Sequence, residues 1–351
     1  MKKIKISKKY IGPDEPAYIV AEAGVNHNNS LALAKKLIIS AAKAGVDAVK
    51  FQTYKAEKLV TKSAPRFWEW EGEEKPEGTQ YDSYSAMDKF PLKYYPELMK
   101  TCKEHNVDFI STPFDEDSAD FLVKLGMPAV KISSSDATNL PFLEHVAKYK
   151  LPIFLSTGAS TIGEIEEAVA TIESQGNREI VLLQCTLCYP TDPKDSNLRV
   201  LKTYSELFCE YPIGISDHTL GITVPIAAVA LGAKFVEKHY TVDKNLPLSP
   251  DHHLSVDPAE MQAMVQSIRI TERALGTNKK FVLPCERITY KYDKRSLVAA
   301  KEIRGGEKIT RAMLTCKRPG TGIRPKFMDI VIGRKAAMDI PEDTTITWGM
   351  V

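Results

Sequence analysis

The sequence lacks most of what would tie it to a nucleic acid, a membrane or an oxidising compartment. Its 47 Lys and Arg against 45 Asp and Glu leave a formal net charge of +2. That balance offers no basic excess to gather a phosphate backbone or an anionic bilayer. No run approaches the roughly 18 apolar residues of a membrane span. The basic start, MKKIKISKKYIG, has no apolar core of the signal-peptide kind. The expectation is a cytoplasmic protein with no nucleic acid or membrane partner. Cysteine is sparse, at positions 102, 185, 188, 209, 285 and 316. Only Cys185 and Cys188, in LLQCTLCYPT, are close, and no second pair follows to complete the four ligands of structural zinc. Tyr-Pro after Cys188 is a poor start for the helix that carries a redox pair, so the thiols read as structural or incidental. A G-x-G-x-x-G after the first strand is missing too, which removes support for a dinucleotide site.

What is present is ordinary globular material, 43 % apolar and 26 % charged, in 351 residues. That length suits one large domain with a smaller one. From about residue 18 to 275, eight β-rich runs alternate with amphipathic helical stretches. The runs are AYIVAEAG, AVKFQTY, DFISTPF, AVKISSS, PIFLSTG, IVLLQCT, IGISDHT and FVEKHYT. Helical patterns such as SLALAKKLIISAAKAGV begin after Ser, Thr or Asp and end near Gly, as caps require. Eight strands with intervening crossovers predict an α/β fold, a (β/α)8 TIM barrel, over 1–276. An open doubly wound sheet is the alternative. Residues 277–292 read as a linker, and 293–351, dense in short strands, Gly turns and Pro, as a small β-rich domain. One connection, residues 55–90, is long and rich in aromatics and charge. Such loops are often lids or covers.

In a barrel the carboxyl ends of the strands carry the site. Those ends supply Glu22, Lys50, Gln52, Thr112, Lys131, Ser133, Ser134, Ser135, Ser156, Gln184, Thr186, Tyr189, Ser216, His218, Glu237 and His239. Lys50 and Lys131 with Thr112, Ser134 and Ser156 combine charge and hydroxyl donors in the way a phosphate requires. His218 and His239 end adjacent strands and are placed to share one divalent ion with positions left open. Two histidines with oxygen ligands suit Mn, Co, Fe or Zn better than Ca. His252 and His253, beside Asp251, are rival ligands.

Taken together, YIVAEAGVNHN, AVKFQTY, FISTPFD, LSTGAS, CTLCYPT, GISDHT, VEKHYT and KRPGTG resemble the sialic acid synthase family over nearly the whole chain. Members condense phosphoenolpyruvate with an N-acetylmannosamine-type sugar and release phosphate. The resemblance implies a C-terminal antifreeze-like (SAF) domain. It also implies a domain-swapped homodimer, in which one chain's small domain covers its partner's active site. By the same resemblance, Lys50, Thr112, Lys131, Ser134 and Ser156 would cradle the phosphate of phosphoenolpyruvate, with Ser216 near its carboxylate. His218 and His239 would hold a divalent metal, manganese or magnesium, with cobalt a further candidate. Glu22, Gln52, Tyr189, Glu237 and Asp251 would surround the sugar, and Arg318 would reach its N-acyl group from the partner chain. Glu22 is the expected proton carrier and Glu237 its rival.

The chain departs from the family pattern in three places. Leu187 stands where many bacterial members have Asn. ISSS, with Ser133 and Ser135, replaces IGSG, and PLSPD replaces PGPD ahead of Asp251. DKN, DHHLSVDP and TQYDSY lean toward a legionaminic-acid-like product. Two other readings use the same residues differently. One is a metal-dependent aldolase or isomerase that does not need the phosphate cradle. The other is a non-catalytic carbohydrate-binding protein.

Overall fold

The computed structural model describes residues 1–68 and 78–351. The segment 69–77, part of the long connection read as a lid, lies outside the described residues. The chain divides into two compact units, Met1–Gly276 and Thr277–Val351.

The first unit opens with a hairpin, β1 (Ile4–Ile6) and β2 (Lys9–Ile11), paired antiparallel. Eight barrel strands follow: β3 (Tyr18–Gly24), β4 (Ala48–Thr53), β5 (Asp108–Pro113), β6 (Val130–Ile132), β7 (Ile153–Ser156), β8 (Ile180–Cys185), β9 (Ile213–Asp217) and β10 (Phe235–His239). They form one parallel sheet in the order β5-β4-β3-β10-β9-β8-β7-β6. The outermost two, β5 and β6, lie side by side and bring the sheet round on itself as a near-closed barrel. The expected (β/α)8 architecture is therefore what the chain adopts. Among the described residues no helix is long and apolar enough to cross a membrane.

The helices form because their sequences specify both ends. In Leu31–Ala44, Ser30 Oγ accepts the Leu33 N–H, and Gly45 stops the helix in the left-handed region at φ 90°. Between those caps Ala34, Leu37, Ile38 and Ala41 recur at helical spacing and are buried. They join a core shared with outward-facing strand residues such as Ile19, Val49, Ile153 and Val236. Inward-facing residues form a second core, and along each strand it changes character. Toward the N-terminal ends lie Tyr18, Val20, Ala48, Ile110, Phe154, Leu183 and Phe235. One or two pleats further on, the same faces present Glu22, Lys50, Thr112, Lys131, Ser156, Ser216 and Glu237, all buried. Gly214 on β9 is required by this packing, since a Cβ there would lie 2.6 Å from Phe235 Cβ and 2.7 Å from its carbonyl oxygen.

The hairpin is a feature that the basic N-terminal sequence did not suggest. Ile4, Ile6 and Ile11 are fully buried and belong to the inner core with Phe154 and Phe235. They plug the end of the barrel opposite the polar layer. Ile6→Ala should therefore cost about 2–5 kcal/mol, as for other truncations in a well-packed core. Urea unfolding measures this. A change within about 0.5 kcal/mol, the range of a surface substitution, would mean that the hairpin is not part of the core.

The second unit has a two-stranded antiparallel sheet, β11 (Ser296–Ala299) with β12 (Leu314–Lys317). Its core contains Leu297, Ile303, Ile309, Leu314, Ile340 and Ile346. Part of the stretch expected as a linker is ordered into this unit. Arg287–Tyr292 is helical, and the Lys291 carbonyl accepts the Gly320 N–H at 2.9 Å.

Candidate active site

Strand register brings the site together. Glu22 lies opposite Lys50 across β3 and β4, and opposite His239 across β3 and β10. Glu237 lies opposite Ser216, and Gln52 opposite Thr112. At the centre is a charged lattice sealed from solvent. Lys50 Nζ is 2.7 Å from Glu22 Oε2 and 3.7 Å from Glu237 Oε1. The same ammonium donates to Thr112 Oγ1 at 2.9 Å. Lys131 Nζ reaches Glu237 Oε1 at 3.9 Å and donates to the Ile132 carbonyl at 2.9 Å. Ser216 Oγ donates to Glu237 Oε1 at 2.9 Å, and Gln52 Nε2 to Glu22 Oε1 at 3.1 Å.

The two carboxylates sit in different fields. Burial pushes the Glu22 carboxyl up to about 7; Lys50 pulls it down, and Glu237 adds to the rise. Burial acts on Glu237 too, but Lys131, Lys50 and the Ser216 hydroxyl outweigh it and hold the carboxyl below its ordinary value. Lys131 moves the other way: burial lowers its pKa more than Glu237 restores it. One carboxyl is thus poised near neutrality, and the other is kept anionic.

The hydroxyls lie on the β6, β7 side. Ser134 Oγ accepts the Gly158 N–H at 2.9 Å. Ser156 Oγ, 1 % exposed as a residue, is buried without a hydrogen-bond partner among the described residues. Gly158 leaves room for the Ser134 hydroxyl, because a Cβ there would meet Ser134 Oγ at 2.8 Å and Cys185 Sγ at 3.3 Å. Ser133 and Ser135 bond to each other at 2.9 Å.

On the β9, β10 side the His218 and His239 rings lie 5.3 Å apart, and Tyr189 stacks on His218 at 4.0 Å. His218 Nδ1 faces the Thr186 carbonyl at 2.8 Å, which leaves Nε2 as the nitrogen available to a ligand. Burial, with the charges of His218 and Lys50, holds His239 well below the ordinary histidine value and so keeps its ring neutral. Its Nδ1 lacks a hydrogen-bond partner among the described residues and lies 3.5 Å from Asp251 Oδ2. Burial raises Asp251 to about 6. Among the described residues no three His, Cys, Asp or Glu side chains form a ready-made cage for a metal. The donor set that does exist is two imidazoles on neighbouring strand ends with Asp251 beside them. That fits an open two-histidine centre whose remaining positions belong to oxygen ligands.

The structure also sorts the rival ligands. His252 is committed elsewhere, with Nδ1 on Thr241 Oγ1 at 2.8 Å and Nε2 on Asn28 Oδ1 at 3.1 Å. His253 is exposed. Arg318 belongs to the second unit, where it pairs with Asp293 at 2.5 Å.

The cysteine pair separates. Cys188 is exposed and Cys185 buried, and both are free. Cys185 Sγ sits 3.9 Å from His218 Nδ1, so it lines the site. The strand's two-residue period, counted on from inward-facing Leu183, would have placed it there. Gln184 and Thr186, taken from sequence as that strand's offering, fall on the other phase. Gln184 Nε2 lies 3.4 Å from the Ser196 carbonyl, and Thr186 Oγ1 donates to the Asp195 carbonyl at 3.0 Å.

Comparison with known proteins agrees with this geometry. The NeuB family model matches residues 37–280, and the SAF domain model matches 294–351. The N,N'-diacetyllegionaminic acid synthase of Legionella pneumophila is 41 % identical, covering 96 % of this chain and 95 % of that one. The N-acetylneuraminate-9-phosphate synthase of Homo sapiens is 36 % identical, covering 96 % and 93 %. Among solved structures, the N-acetylneuraminic acid synthetase of Leptospira borgpetersenii, in complex with citrate, is 34 % identical. It superposes with a TM-score of 0.73, covering 83 % of this chain and 96 % of that one. A barrel with two lysines and two histidines at one end, matched over most of its length by the family model and followed by a SAF domain, belongs to the NeuB family of sialic acid synthases.

Proposed function

We propose that this chain condenses phosphoenolpyruvate with an open-chain N-acetylmannosamine-type sugar and releases phosphate, forming a legionaminic-acid-like nonulosonic acid. The observation that carries the reading is that Lys50, Thr112, Lys131, Ser134 and Ser156 are all buried at or just beyond the C-terminal ends of the neighbouring strands β4 to β7. These groups offer two charges and three hydroxyls to one phosphate. Ser156 Oγ, buried and unpartnered among the described residues, is the clearest hydroxyl for an incoming oxyanion. Ser216 is assigned to the carboxylate of phosphoenolpyruvate. Gln52, Tyr189 and Asp251 border the sugar, and Arg318 is assigned to its N-acyl group from the partner chain of a homodimer. The cytoplasm is the proposed location.

In the reaction, the enol carbon forms a bond to the sugar's aldehyde carbon and leaves positive charge at C2 of the former phosphoenolpyruvate. Water adds at C2, and the C–O bond to phosphate then breaks. His218 and His239 would hold a divalent ion, Mn, Mg or Co, which supplies Lewis-acid polarisation of the aldehyde when bound. Lys50 and Lys131 hold the phosphoryl group while its charge changes. Glu22, near pH 7 in its proton affinity, is matched to take one proton from the adding water and pass it to the former aldehyde oxygen, while the other water proton leaves with phosphate. Glu237, kept anionic by Lys131 and Lys50, faces the developing positive charge. The lean toward a legionaminic product is supported by the higher identity to the Legionella synthase, 41 % against 36 % for the human enzyme.

The test is phosphate release from phosphoenolpyruvate with a panel of amino sugars differing at C4 and C6, in Mn, Mg or Co. The expected result is turnover that needs both the metal and a matching sugar, fastest with the diacetamido sugar. No turnover across the whole panel would overturn the reading.

A further inference from the structure

We infer that a buried ion pair on the outer wall of the barrel, Asp217 with Lys238, aims the two histidines of the metal centre and sets its affinity. The inference rests on the proposal above that His218 and His239 bind a divalent ion.

Asp217 and Lys238 are directly opposite each other across β9 and β10, one residue ahead of His218 and His239 respectively. Neighbouring residues of a strand face opposite sides, so the pair sits outside the barrel wall while the imidazoles sit inside it. Both members are removed from solvent, with Lys238 0 % and Asp217 3 % exposed. Lys238 Nζ donates to Asp217 Oδ2 at 2.6 Å and also to the Thr219 carbonyl. Asp217 in turn accepts the Thr219 N–H at Oδ1 (3.2 Å) and the Thr219 hydroxyl at Oδ2 (2.9 Å). His218 is therefore bracketed by two residues that one ammonium ties to the neighbouring strand. On its own strand that ammonium belongs to the residue next to His239.

Stability does not call for this arrangement. A buried ion pair is commonly no better for stability than a well-packed apolar pair of similar volume. What it adds is direction. The bonds from Lys238 and Asp217 fix the backbone at positions 217 and 219, and through it the angle at which His218 leaves β9. The expected consequence resembles the loss of other groups that orient metal ligands, a roughly 10–100-fold weakening of metal affinity.

The experiment titrates Mn2+ into full-length protein and follows the free-ion signal by electron paramagnetic resonance. Wild type is compared with Lys238→Met and with the doubly uncharged Asp217→Leu/Lys238→Met, which avoids a stranded buried charge. Circular dichroism checks folding, and calorimetry without metal measures phosphoenolpyruvate affinity. The expected result is folded variants whose Mn2+ affinity falls at least about 10-fold while phosphoenolpyruvate affinity stays unchanged. A folded double variant with wild-type Mn2+ affinity overturns the inference. So does a parallel loss of phosphoenolpyruvate affinity, or failure of both variants to fold, since either makes the pair a general structural element. Wild-type protein that takes up no Mn2+, or takes it up equally after His218→Ala and His239→Ala, removes the metal reading itself. That outcome is distinct from one in which wild type binds through the histidines and the ion-pair variants match it.

Discussion

Lys131→Ala and Lys50→Ala, made singly, should each lower kcat/KM for phosphoenolpyruvate by roughly 10²–10³-fold, the loss expected when one preorganised charge donor is taken from developing negative charge. Both ammonium groups are buried, and under the proposed reading a phosphate arriving there would exchange its hydration for these two charges and the hydroxyls of Thr112, Ser134 and Ser156. The variants should differ in a second respect. Lys131 is also the strongest influence keeping Glu237 anionic, so its loss should weaken phosphoenolpyruvate binding and raise the Glu237 carboxyl. Lys50 also neutralises Glu22 at 2.7 Å, so its loss should leave Glu22 protonated and depress kcat as well. Steady-state phosphate release against phosphoenolpyruvate concentration, with calorimetric binding, measures both. A metal-dependent aldolase on the same barrel would not use the cradle. Unchanged affinity for phosphoenolpyruvate in both variants would therefore favour that enzyme over the synthase.

Glu22→Gln is the second large effect. The amide keeps the shape and can still accept from Gln52, but it cannot carry a proton. A fall in kcat of roughly 10²–10⁴-fold is expected, with phosphoenolpyruvate binding kept. The same substitution has a stability signature in the metal-free protein. The folded-state pKa of Glu22 is raised from 4.5 to about 7. The folded protein therefore holds this proton more tightly than the unfolded chain does, and wild type loses that contribution as pH climbs from about 4.5 through about 7. The substituted amide does not titrate, so over this window the variant should gain on wild type by an amount on the order of 3 kcal/mol. Urea midpoints at pH 5 and pH 8 measure it. A stability difference that does not change with pH would contradict the assignment of the near-neutral carboxyl to Glu22.

The barrel was legible because its runs are regular and its helices are capped in the sequence. The polar layer was legible for the same reason: in most runs the candidate site residue lies on the phase that turns inward, although Ser134 follows β6 in a turn off the phase of Lys131. The IVLLQCT run was a clearer exception. Choosing by polarity picked Gln184 and Thr186, whereas alternation from Leu183 picks Cys185. The hairpin was not legible, because two three-residue strands with lysines between their isoleucines are shorter than any periodicity window. In the sequence His252 was a rival ligand, and only its tertiary contacts to Thr241 and Asn28 take it out of contention.

The hairpin plug also bears on the order in which the molecule assembles. Ile4, Ile6 and Ile11 dock against Phe154, Val181 and Phe235, and the Lys2 N–H bonds to the Glu210 carbonyl at 3.0 Å. None of that surface exists until the last barrel strand has emerged and the sheet has curled. The hairpin must wait for the far end of the unit, and the chain must close a very long loop to seat it. Until it is seated, the barrel floor shows its aromatic and aliphatic side chains to water. A chaperone or a neighbouring chain would meet the half-made molecule at that floor, on the opposite side from its chemistry.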